Sequence, residues 1–471
     1  MALTVDALHP AYERVAPQRE RLRLTYSGTD AVKGAGTAIL PMLGAATDPN
    51  AAAQYQAYQQ RAYFLGAMPR TVEGISGLVF RNPPTTTLPM RSQAAAYMED
   101  VTLTGLPLDR FAQQLYREVL TLGFAGVYVT LPQAPTPRAR AYLTLYRAED
   151  VINWRHSFDG ESYKLARVVL REQIYEEDSE DRFLLKEIEI YRELALDENG
   201  LLVVNVFREA RQGSTEEKFV QVDQIEPRFR GQRLDYIPFT PCSPEANDFT
   251  VDRLPLLPLA DANLDHYRLM ADYRHGLHWV GLPTPWTQGV DDTSALTIGP
   301  ARAWNLPQGA SAEMLEFTGQ GLRPLETAIE QQVEAMAGLG AKLLQQEKRA
   351  AEAAETHRIR QSREEAAAVS VAESVSAALS RAVTQMLTLS GIPGDAAVEL
   401  NRDLVDAKLR PEEIRELVSA WVAGAYTWET LAHNLTRGEV MRPDVPVEDE
   451  KALLATQGVA PPQMLELPDE E

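Results

Sequence analysis

The spacing of apolar residues changes several times along the chain, and each change marks a boundary between predicted structures. Over residues 51–80 the aromatic and aliphatic positions recur every three to five residues, a spacing that predicts helix. This helix is expected to end at the Asn82-Pro83 pair, because proline cannot continue a helix and restricts the residue before it. A further helix is predicted over residues 108–122, closed by Gly123.

Strand-like alternation replaces the helical spacing between about residues 123 and 239. Successive runs alternate apolar and polar positions and are rich in β-branched and aromatic residues. The runs are GFAGVYVTLP, AYLTLYRAEDVINWR, KLARVVLREQIYEE, RFLLKEIEIYRELAL, GLLVVNVFREA and EKFVQVDQIEPRF. The DENG sequence at residues 197–200 predicts a hairpin, because asparagine and glycine tolerate positive φ. We therefore expect a mostly antiparallel sheet.

The helical spacing returns after Pro258, in two runs separated by a turn-rich segment. The first run covers residues 259–281, and turn residues crowd residues 282–322. The tract between Pro324 and Pro393 contains no proline and predicts a long helix. Its polar middle is either solvated or meets a surface outside its own core. Two or three shorter helices and an acidic, proline-bearing tail follow.

A helix that leaves a body, a small irregular lobe and a helix that returns are rarely found together in enzymes. The arrangement is common in proteins that build a tube from many copies, each of which contributes one antiparallel helix pair to a shared wall. Closed rings of this kind leave no subunit interface unsatisfied. The pattern therefore favours an oligomeric structural protein.

Length and composition are those of an ordinary globular protein, with 471 residues, 45% hydrophobic and 24% charged. The length predicts roughly two to four domains. No window approaches the ~18 consecutive apolar residues that a membrane span needs, and the first residues lack a secretory pattern. One cysteine excludes an intramolecular disulfide and a multi-cysteine zinc site, and we expect Cys242 to be a half-buried apolar residue. These features indicate a product of a reducing cytoplasm.

The net charge of −21 bears on possible partners. Broad binding of duplex DNA depends on Lys and Arg that displace counterions from phosphates, so an acidic chain is a poor transcription factor or nuclease. A conduit is compatible with the charge, because repulsive walls let a polyanion slide without sticking. The acidity is equally compatible with a simple role in solubility.

Sequence motifs for catalysis are missing. The chain contains no GxxxxGK[ST] phosphate loop, GxGxxG fingerprint, GxSxG elbow or HExxH zinc motif. His275 and His278 lie three residues apart on a predicted helix, with His266 further back. They are either metal ligands or surface and interface histidines, and no carboxylate is obviously placed to complete a metal site. We expect no enzyme activity, no cofactor and no metal.

Aromatic and proline residues cluster where the outgoing helix ends, at Trp279, Pro283, Pro285 and Trp286. One interpretation is local packing of the lobe on itself. The other is an interface with neighbouring copies or a docking protein, because aromatic residues are enriched at interfaces.

Three stretches of the sequence carry a resemblance to a known family. They are YQQRAYFLGAMPRTVEGISGLVFRNPP at residues 58–84, LPLLPLADANLDHYRLMADYRHGLHWVGLPTPW at residues 254–286 and YTWETLAHNLTRGEV at residues 426–440. Together they resemble the portal proteins of tailed bacteriophages, specifically a head-tail connector family once catalogued as a phage domain of unknown function. The order of elements agrees from about residue 51 to residue 450.

The resemblance implies an α+β portal fold with an α/β wing, a helical stem hairpin, a small clip and a helical C-terminal crown. The implied boundaries are 1–257 for the wing, 258–281 for stem helix 1, 282–322 for the clip, 323–343 for stem helix 2, 344–400 for the tunnel loop and long wing helix, and 401–471 for the crown and acidic tail. The tract around residue 345 is either a tunnel loop or part of one unbroken helix.

The resemblance also implies a function. Portal chains form a ring, usually of twelve copies, at one capsid vertex of the virion after synthesis in the host cytoplasm. Double-stranded DNA passes through the ring during packaging and ejection. The implied partners are the terminase, the major capsid protein and a head-completion or adaptor protein, with no membrane. Alternatives are another virion connector or minor head protein, and a cytosolic enzyme whose site no motif reveals.

Basic residues lie where the resemblance places the tunnel. They are Lys342, Lys348, Arg349, Arg358 and Arg360. One hypothesis is that they touch the backbone of passing DNA weakly. The alternative is that they form pairs along the helix with Glu347, Glu352 and Glu355.

Overall fold

A computed structural model describes most of the chain. The described residues are 4–42, 49–131, 140–158, 160–178, 181–210, 218–250, 254–282, 284–289, 306, 308–315, 319–341, 354–402, 404, 411–437 and 440–441, with the side chains of α9 described from residue 367. The chain divides into two compact units, Met1–Arg402 and Asp403–Glu471. Helices and antiparallel sheets both contribute, so the fold class is α+β.

The helices run from the first residues described to the last unit. They are α1 (Pro10–Ser27), α2 (Thr29–Gly34), α3 (Ala51–Arg61), α4 (Ala67–Val79), α5 (Arg91–Met98), α6 (Leu108–Leu122), α7 (Leu257–Gly281), α8 (Leu322–Met336), α9 (Ala354–Leu389), α10 (Pro411–Val422) and α11 (Trp428–Arg437). The helix predicted over residues 108–122 is confirmed, and Gly123 adopts the left-handed conformation at its end.

The strands fall mainly between α6 and α7. They are β1 (Thr85–Thr87), β2 (Ala125–Thr130), β3 (Tyr142–Arg147), β4 (Val151–Phe158), β5 (Tyr163–Glu177), β6 (Leu185–Leu196), β7 (Leu202–Glu209), β8 (Phe219–Ile225), β9 (Arg228–Phe229), β10 (Gln232–Arg233), β11 (Phe239–Cys242), β12 (Thr284–Gln288), β13 (Ser311–Leu315) and β14 (Ala397–Glu399).

The predicted antiparallel pairing is confirmed, but the strands form more than one sheet. A three-stranded sheet has the order β11-β2-β3, and a five-stranded meander runs from β4 to β8. The division falls at a tight turn between β3 and β4, in which the amide of Asp150 donates to the carbonyl of Arg147. The DENG hairpin is also confirmed: one carboxylate oxygen of Asp197 accepts from the amides of Asn199 and Leu201 at 2.8 and 3.0 Å, and Gly200 has φ +72°.

The predicted helix over residues 51–80 is interrupted, which corrects that expectation. The chain leaves the helix at Ala62 and re-enters it at Ala67. The reason lies on α7, where the amide group of the buried Asn263 donates to the carbonyl of Leu65 and accepts from the amide of Met68. Because this partner is 195 residues away from Met68, the local pattern could not show the break.

Helix α9 is the central helix of the first unit. Its inner face is fully buried and includes Val375, Leu379 and Val383. The hydroxyls of Ser376, Ser380 and Thr384 accept from the backbone amides of alternate residues in the segment 396–400, at 2.9–3.0 Å. The spacing of the hydroxyls along α9 matches the spacing of the amides, because four helical residues rise about 6 Å and two extended residues span nearly the same length. This hydroxyl ladder fixes β14, which pairs with β1.

The long proline-free tract is not one continuous helix, so that alternative is wrong. Helix α8 ends at Met336, and a π-helical turn follows over Ala337–Ala341. Leu339 and Gly340 leave helical geometry, and Gly340 has φ +109°, which glycine adopts without the steric cost that a side chain would bring. Residues 342–353, which include the expected tunnel loop, lie outside the described residues.

A cluster around Arg23 joins α1 to two parts of the first unit that are distant in the sequence. The guanidinium of Arg23 donates to both oxygens of Glu118 on α6, at 2.6 and 3.1 Å, and to both oxygens of Glu149 in the β3–β4 turn, at 2.7 and 3.0 Å. All three side chains are mostly buried. Burial alone would lower the pKa of Arg23, but the hydrogen bonds and charges of the two carboxylates raise it.

Helices α10 and α11 of the second unit confirm two of the shorter helices expected after Pro393. The rings of Trp421 and Trp428 meet edge to face at 5.6 Å, and the hydroxyl of Tyr426 donates to the carbonyl of Leu417. These contacts join the two helices across a short turn.

A single methyl group added at Gly126 is expected to destabilise the wing by about 1–3 kcal/mol, because small-to-large changes in a packed core force side chains to move. A Cβ atom there would lie 2.1 Å from Cζ of Phe239, whose ring is buried against Phe249. Urea denaturation of Gly126→Ala would show the loss. Gly77→Ala is the control, since nothing lies within 4 Å of its Cβ position in α4. Equal midpoints for both variants would contradict the prediction.

Candidate assembly interface

Helices α7 and α8 form an antiparallel pair. Three contacts run in opposite directions along the two helices: Gly276 faces Leu322, the hydroxyl of Tyr273 donates to Glu326 at 2.6 Å, and the side chain of Gln332 donates to the carbonyl of Ala262 at 3.0 Å. The approach is close at Gly276, where a Cβ atom would lie 2.6 Å from a methyl carbon of Leu322. The helix pair predicted from the sequence is therefore present, and α7 begins two residues earlier than predicted.

The two halves of α7 have different surroundings. In the first half Leu264, Tyr267 and Ala271 are buried against residues on and near α2 and α3, and the hydroxyl of Tyr58 donates to Asp272 at 2.5 Å. From Asp272 to the end of the helix no residue is buried. In α8 the only buried residue is Met336, at the end nearest the wing. The outer half of the pair thus has little core of its own.

Apolar side chains are exposed where the helix pair meets the small lobe. The lobe contains an antiparallel hairpin of β12 and β13, which pairs Trp286 with Glu313. We call the exposed apolar residues of this end the clip patch, and each is at least 40% exposed: Leu277, Trp279, Leu282, Trp286, Met314 and Leu315. Exposed apolar side chains at the end of the helix pair indicate a candidate interaction site.

The structure locates most of the aromatic and proline residues singled out in the sequence. Trp279 and Trp286 are 47% and 42% exposed, and Pro285 is half-buried. Pro283 lies outside the described residues. The indole NH of Trp279 donates to Nε2 of His275 at 3.0 Å, which holds the ring at the helix surface. An interface role for these residues remains a prediction.

An apolar cavity of about 470 Å³ adjoins the clip patch. It is lined by Trp279 and Val280 of α7 and by Leu322 of α8. Glycines at positions 276, 319 and 321 also line it and contribute no side chain to fill it. The cavity extends the apolar surface that a partner would cover.

The three histidines of α7 lie in different environments. His266 is buried, and its Nδ1 atom has no hydrogen-bond partner among the described residues. His275 contacts Arg61, Trp279 and the ring of Tyr58. Among the described residues no group of three or more His, Cys, Asp or Glu side chains is arranged to hold a metal ion.

Acid is expected to destabilise the chain through His266. Burial lowers the pKa of His266 below 6.5, so the unfolded chain binds a proton at a higher pH than the folded chain does. The free energy of unfolding should therefore fall as the pH drops below about 6.5, by at most about 1.4 kcal/mol per pH unit for this one group. Urea unfolding at pH 7 and pH 5 would measure the change. The free energy of unfolding of His266→Gln should depend less on pH. Part of the dependence should remain, because the pKa values of His9 and His275 are also lowered. An identical slope in the variant would contradict the prediction.

Cys242 is completely buried rather than half-buried, which corrects the expectation from the sequence. It is the last residue of β11, the strand that pairs with the buried β2. Burial raises the pKa of its thiol, so the thiolate that would react as a nucleophile is suppressed.

A cleft of about 790 Å³ with a mixed polar and apolar lining lies between the three-stranded and the five-stranded sheets. Such a cleft is what the enzyme interpretation requires. Its central carboxylate, Glu172, accepts two hydrogen bonds from Arg192 at 2.6 and 3.0 Å and one from the hydroxyl of Tyr146 at 2.5 Å. With its oxygens engaged in this way, the carboxylate is a fixed part of the wall rather than a free base.

The basic residues of the expected tunnel are only partly placed. Lys342, Lys348 and Arg349 lie outside the described residues. Arg358 and Arg360 lie on α9, but their side chains lie outside the described part. Their contact with DNA stays a hypothesis. Across the described ranges, no helix is both long and apolar enough to span a membrane.

Comparison with known proteins gives one family match and several similar structures. Residues 255–388, which contain α7, α8 and most of α9, match a family described as a domain of unknown function, DUF4055. No match is found among curated proteins.

Three of the similar solved structures are from gene transfer agent particles. The neck of an empty particle with C6 symmetry is 14% identical, covers 78% of this chain and 89% of that chain, and has a TM-score of 0.39. The virion of a native particle is 12% identical, with 80% and 92% covered and a TM-score of 0.39. The neck of a native particle with C12 symmetry is 13% identical, with 81% and 91% covered and a TM-score of 0.37.

Proposed function

We propose that this chain is a portal subunit, which forms a ring-shaped conduit at one capsid vertex for the packaging and ejection of phage DNA. The observation that carries the proposal is the helix pair of α7 and α8, which extends from the wing with little core of its own and ends in the exposed clip patch. The resemblance of residues 58–84, 254–286 and 426–440 to portal proteins supports the same function.

The exposed surface of the helix pair supports the proposal of a ring. Its outer half buries almost no side chain within one copy, so the apolar clip patch and the adjoining cavity are stabilised only when other copies or a docking protein cover them. A closed ring of identical subunits covers every such surface once. We propose a ring of about twelve copies with the clip as the docking region for the terminase and the head-completion protein.

The conduit itself is proposed to be passive. The net charge of −21 per copy disfavours tight binding of DNA phosphates, and a separate ATP-driven terminase supplies the work. Weak contacts to DNA are proposed for Lys342, Lys348, Arg349, Arg358 and Arg360. Neutralising all five should reduce packaging or retention of DNA; unchanged packaging and retention would exclude the contact.

Native mass spectrometry and negative-stain electron microscopy on the same purified sample test the portal proposal. Rings of about twelve subunits with a central hole are expected. A monomer or dimer that stays small even after its capsid protein is added would overturn the proposal. A closed ring that assembles outside the capsid vertex would favour the alternative of another virion connector or minor head protein.

A further inference from the structure

The hairpin of β5 and β6 extends beyond the sheet that contains it. β4 pairs with β5 only over residues 163–170, and β7 pairs with β6 only over residues 190–196. Residues 173–177 and 185–189 therefore pair only with each other. Five residues of strand span about 17 Å, so a two-stranded ribbon of that length projects from the wing.

Large apolar side chains are exposed on this ribbon. We call Tyr175, Phe183, Leu184 and Leu185 the ribbon tip; Phe183 is 81% exposed and Tyr175 is 68% exposed. The end of the ribbon is held by backbone bonds from Asp178 to Leu184 and from Leu184 to Asp181, at 2.8 and 2.9 Å. A two-stranded ribbon without neighbouring strands is only marginally stable in water. Exposure of four large apolar side chains to water does not stabilise it. The ribbon tip is therefore a surface that a partner covers.

The charge of the ribbon indicates what kind of partner covers it. Residues 171–190 contain eight acidic and three basic side chains, a net charge of −5. Contact with the same acidic ribbon of a second copy would bring like charges together. A partner with an apolar cleft bordered by Lys and Arg complements both the tip and the acidic strands behind it.

We propose that the ribbon tip docks into such a basic-bordered apolar cleft on a protein other than this chain. The inference rests on the proposed function in one respect: for a portal ring set in a capsid, the surrounding shell protein is the partner within reach. The apolar tip supplies the binding contact, and the acidic strands supply orientation and sensitivity to salt.

The test compares two sets of variants in cells that also produce the capsid protein of the same particle. The ribbon variant is Phe183→Ser, Leu184→Ser and Leu185→Ser together. The control is Phe158→Ser with Tyr163→Ser, because these residues are also exposed and lie in the neighbouring β4–β5 hairpin. Ring formation is measured by native mass spectrometry, and incorporation is the ratio of this chain to capsid protein in sedimented shells.

For the ribbon variant we expect normal rings and a loss of incorporation of about tenfold or more, as for removal of a central apolar anchor. The control should retain incorporation. Unchanged incorporation of the ribbon variant would overturn the inference, and loss of its rings would show that a second copy covers the tip instead. If even the wild-type chain forms no ring, the portal proposal fails, while binding of the chain to capsid protein still reports on the ribbon tip.

Discussion

Replacing Trp279 and Trp286 together by aspartate is expected to convert the proposed ring into monomers. Each indole is nearly half exposed in one copy, so a neighbour can bury about 100 Å² more of it, worth about 2–3 kcal/mol at each subunit contact. Aspartate removes this gain and adds the cost of burying a charge. Two such losses at every contact weaken each association step by a factor of about a thousand or more.

The two substitutions are expected to impair assembly without impairing folding, so a loss of rings can be attributed to the interface. Both side chains already face solvent at the outer end of the pair, so the unfolding midpoint should change little. Leu103→Asp with Val222→Asp is the matched control, because both residues are exposed apolar positions away from the clip patch. Mass spectrometry that shows intact rings for the tryptophan variant would contradict an interface role. Loss of rings in the control as well would show a general effect of added charge.

Replacing Arg23 by alanine is expected to lower the free energy of unfolding by about 3–5 kcal/mol, because two mostly buried carboxylates lose the cation they share and Glu118 keeps only the longer 3.9 Å ion pair with Arg147. Glu118 and Glu149 would then repel each other across the junction of α1, α6 and the β3–β4 turn. Arg23→Lys should restore only part of the loss, since one ammonium cannot reproduce four hydrogen bonds to two carboxylates.

The measurement is urea denaturation at neutral pH, with Arg14→Ala as the control. Arg14 lies on the same helix, is exposed and donates only to the carbonyl of Pro10 at 3.4 Å, so its removal should cost less than about 0.5 kcal/mol. Burial would raise the pKa of Glu149, but Arg23 holds it below 4.5, so the cluster's contribution is present above that pH and is lost in acid. A loss smaller than about 1 kcal/mol for Arg23→Ala would show that the cluster is not stabilising.

The sequence predicted those parts of the fold whose causes are local. The spacing in α6 and the glycine after it are adjacent in the chain, and so are the turn residues of the DENG hairpin. The break between α3 and α4 depends on Asn263, almost 200 residues later, and the division into two sheets depends on how the strands pack. The π-helical turn over Ala337–Ala341 shows in sequence only as two glycines, which is a weak signal.

Part of the candidate interface could also be predicted, because its residues are close together in the sequence. Trp279 and Trp286 stand out because aromatic residues are concentrated beside turn residues, and the structure adds Leu277, Leu282, Met314 and Leu315 to them. Only the fold brings the last two close to the helix end, through the pairing of β12 with β13. The Arg23 cluster could not be predicted, because its partners lie 95 and 126 residues away.

The place of α9 in the chain has a consequence for biosynthesis. Helix α9, with its hydroxyl ladder to β14, is translated after α7, α8 and the β12–β13 hairpin, so the ribosome releases the clip patch before α9 can pack into the first unit. The 110 residues from Trp279 to Leu389 take roughly 5–20 s to translate. During that interval the nascent chain exposes the aromatic residues of the clip patch while its first unit is not yet completely translated. The clip patch is therefore accessible to other chains before α9 is complete.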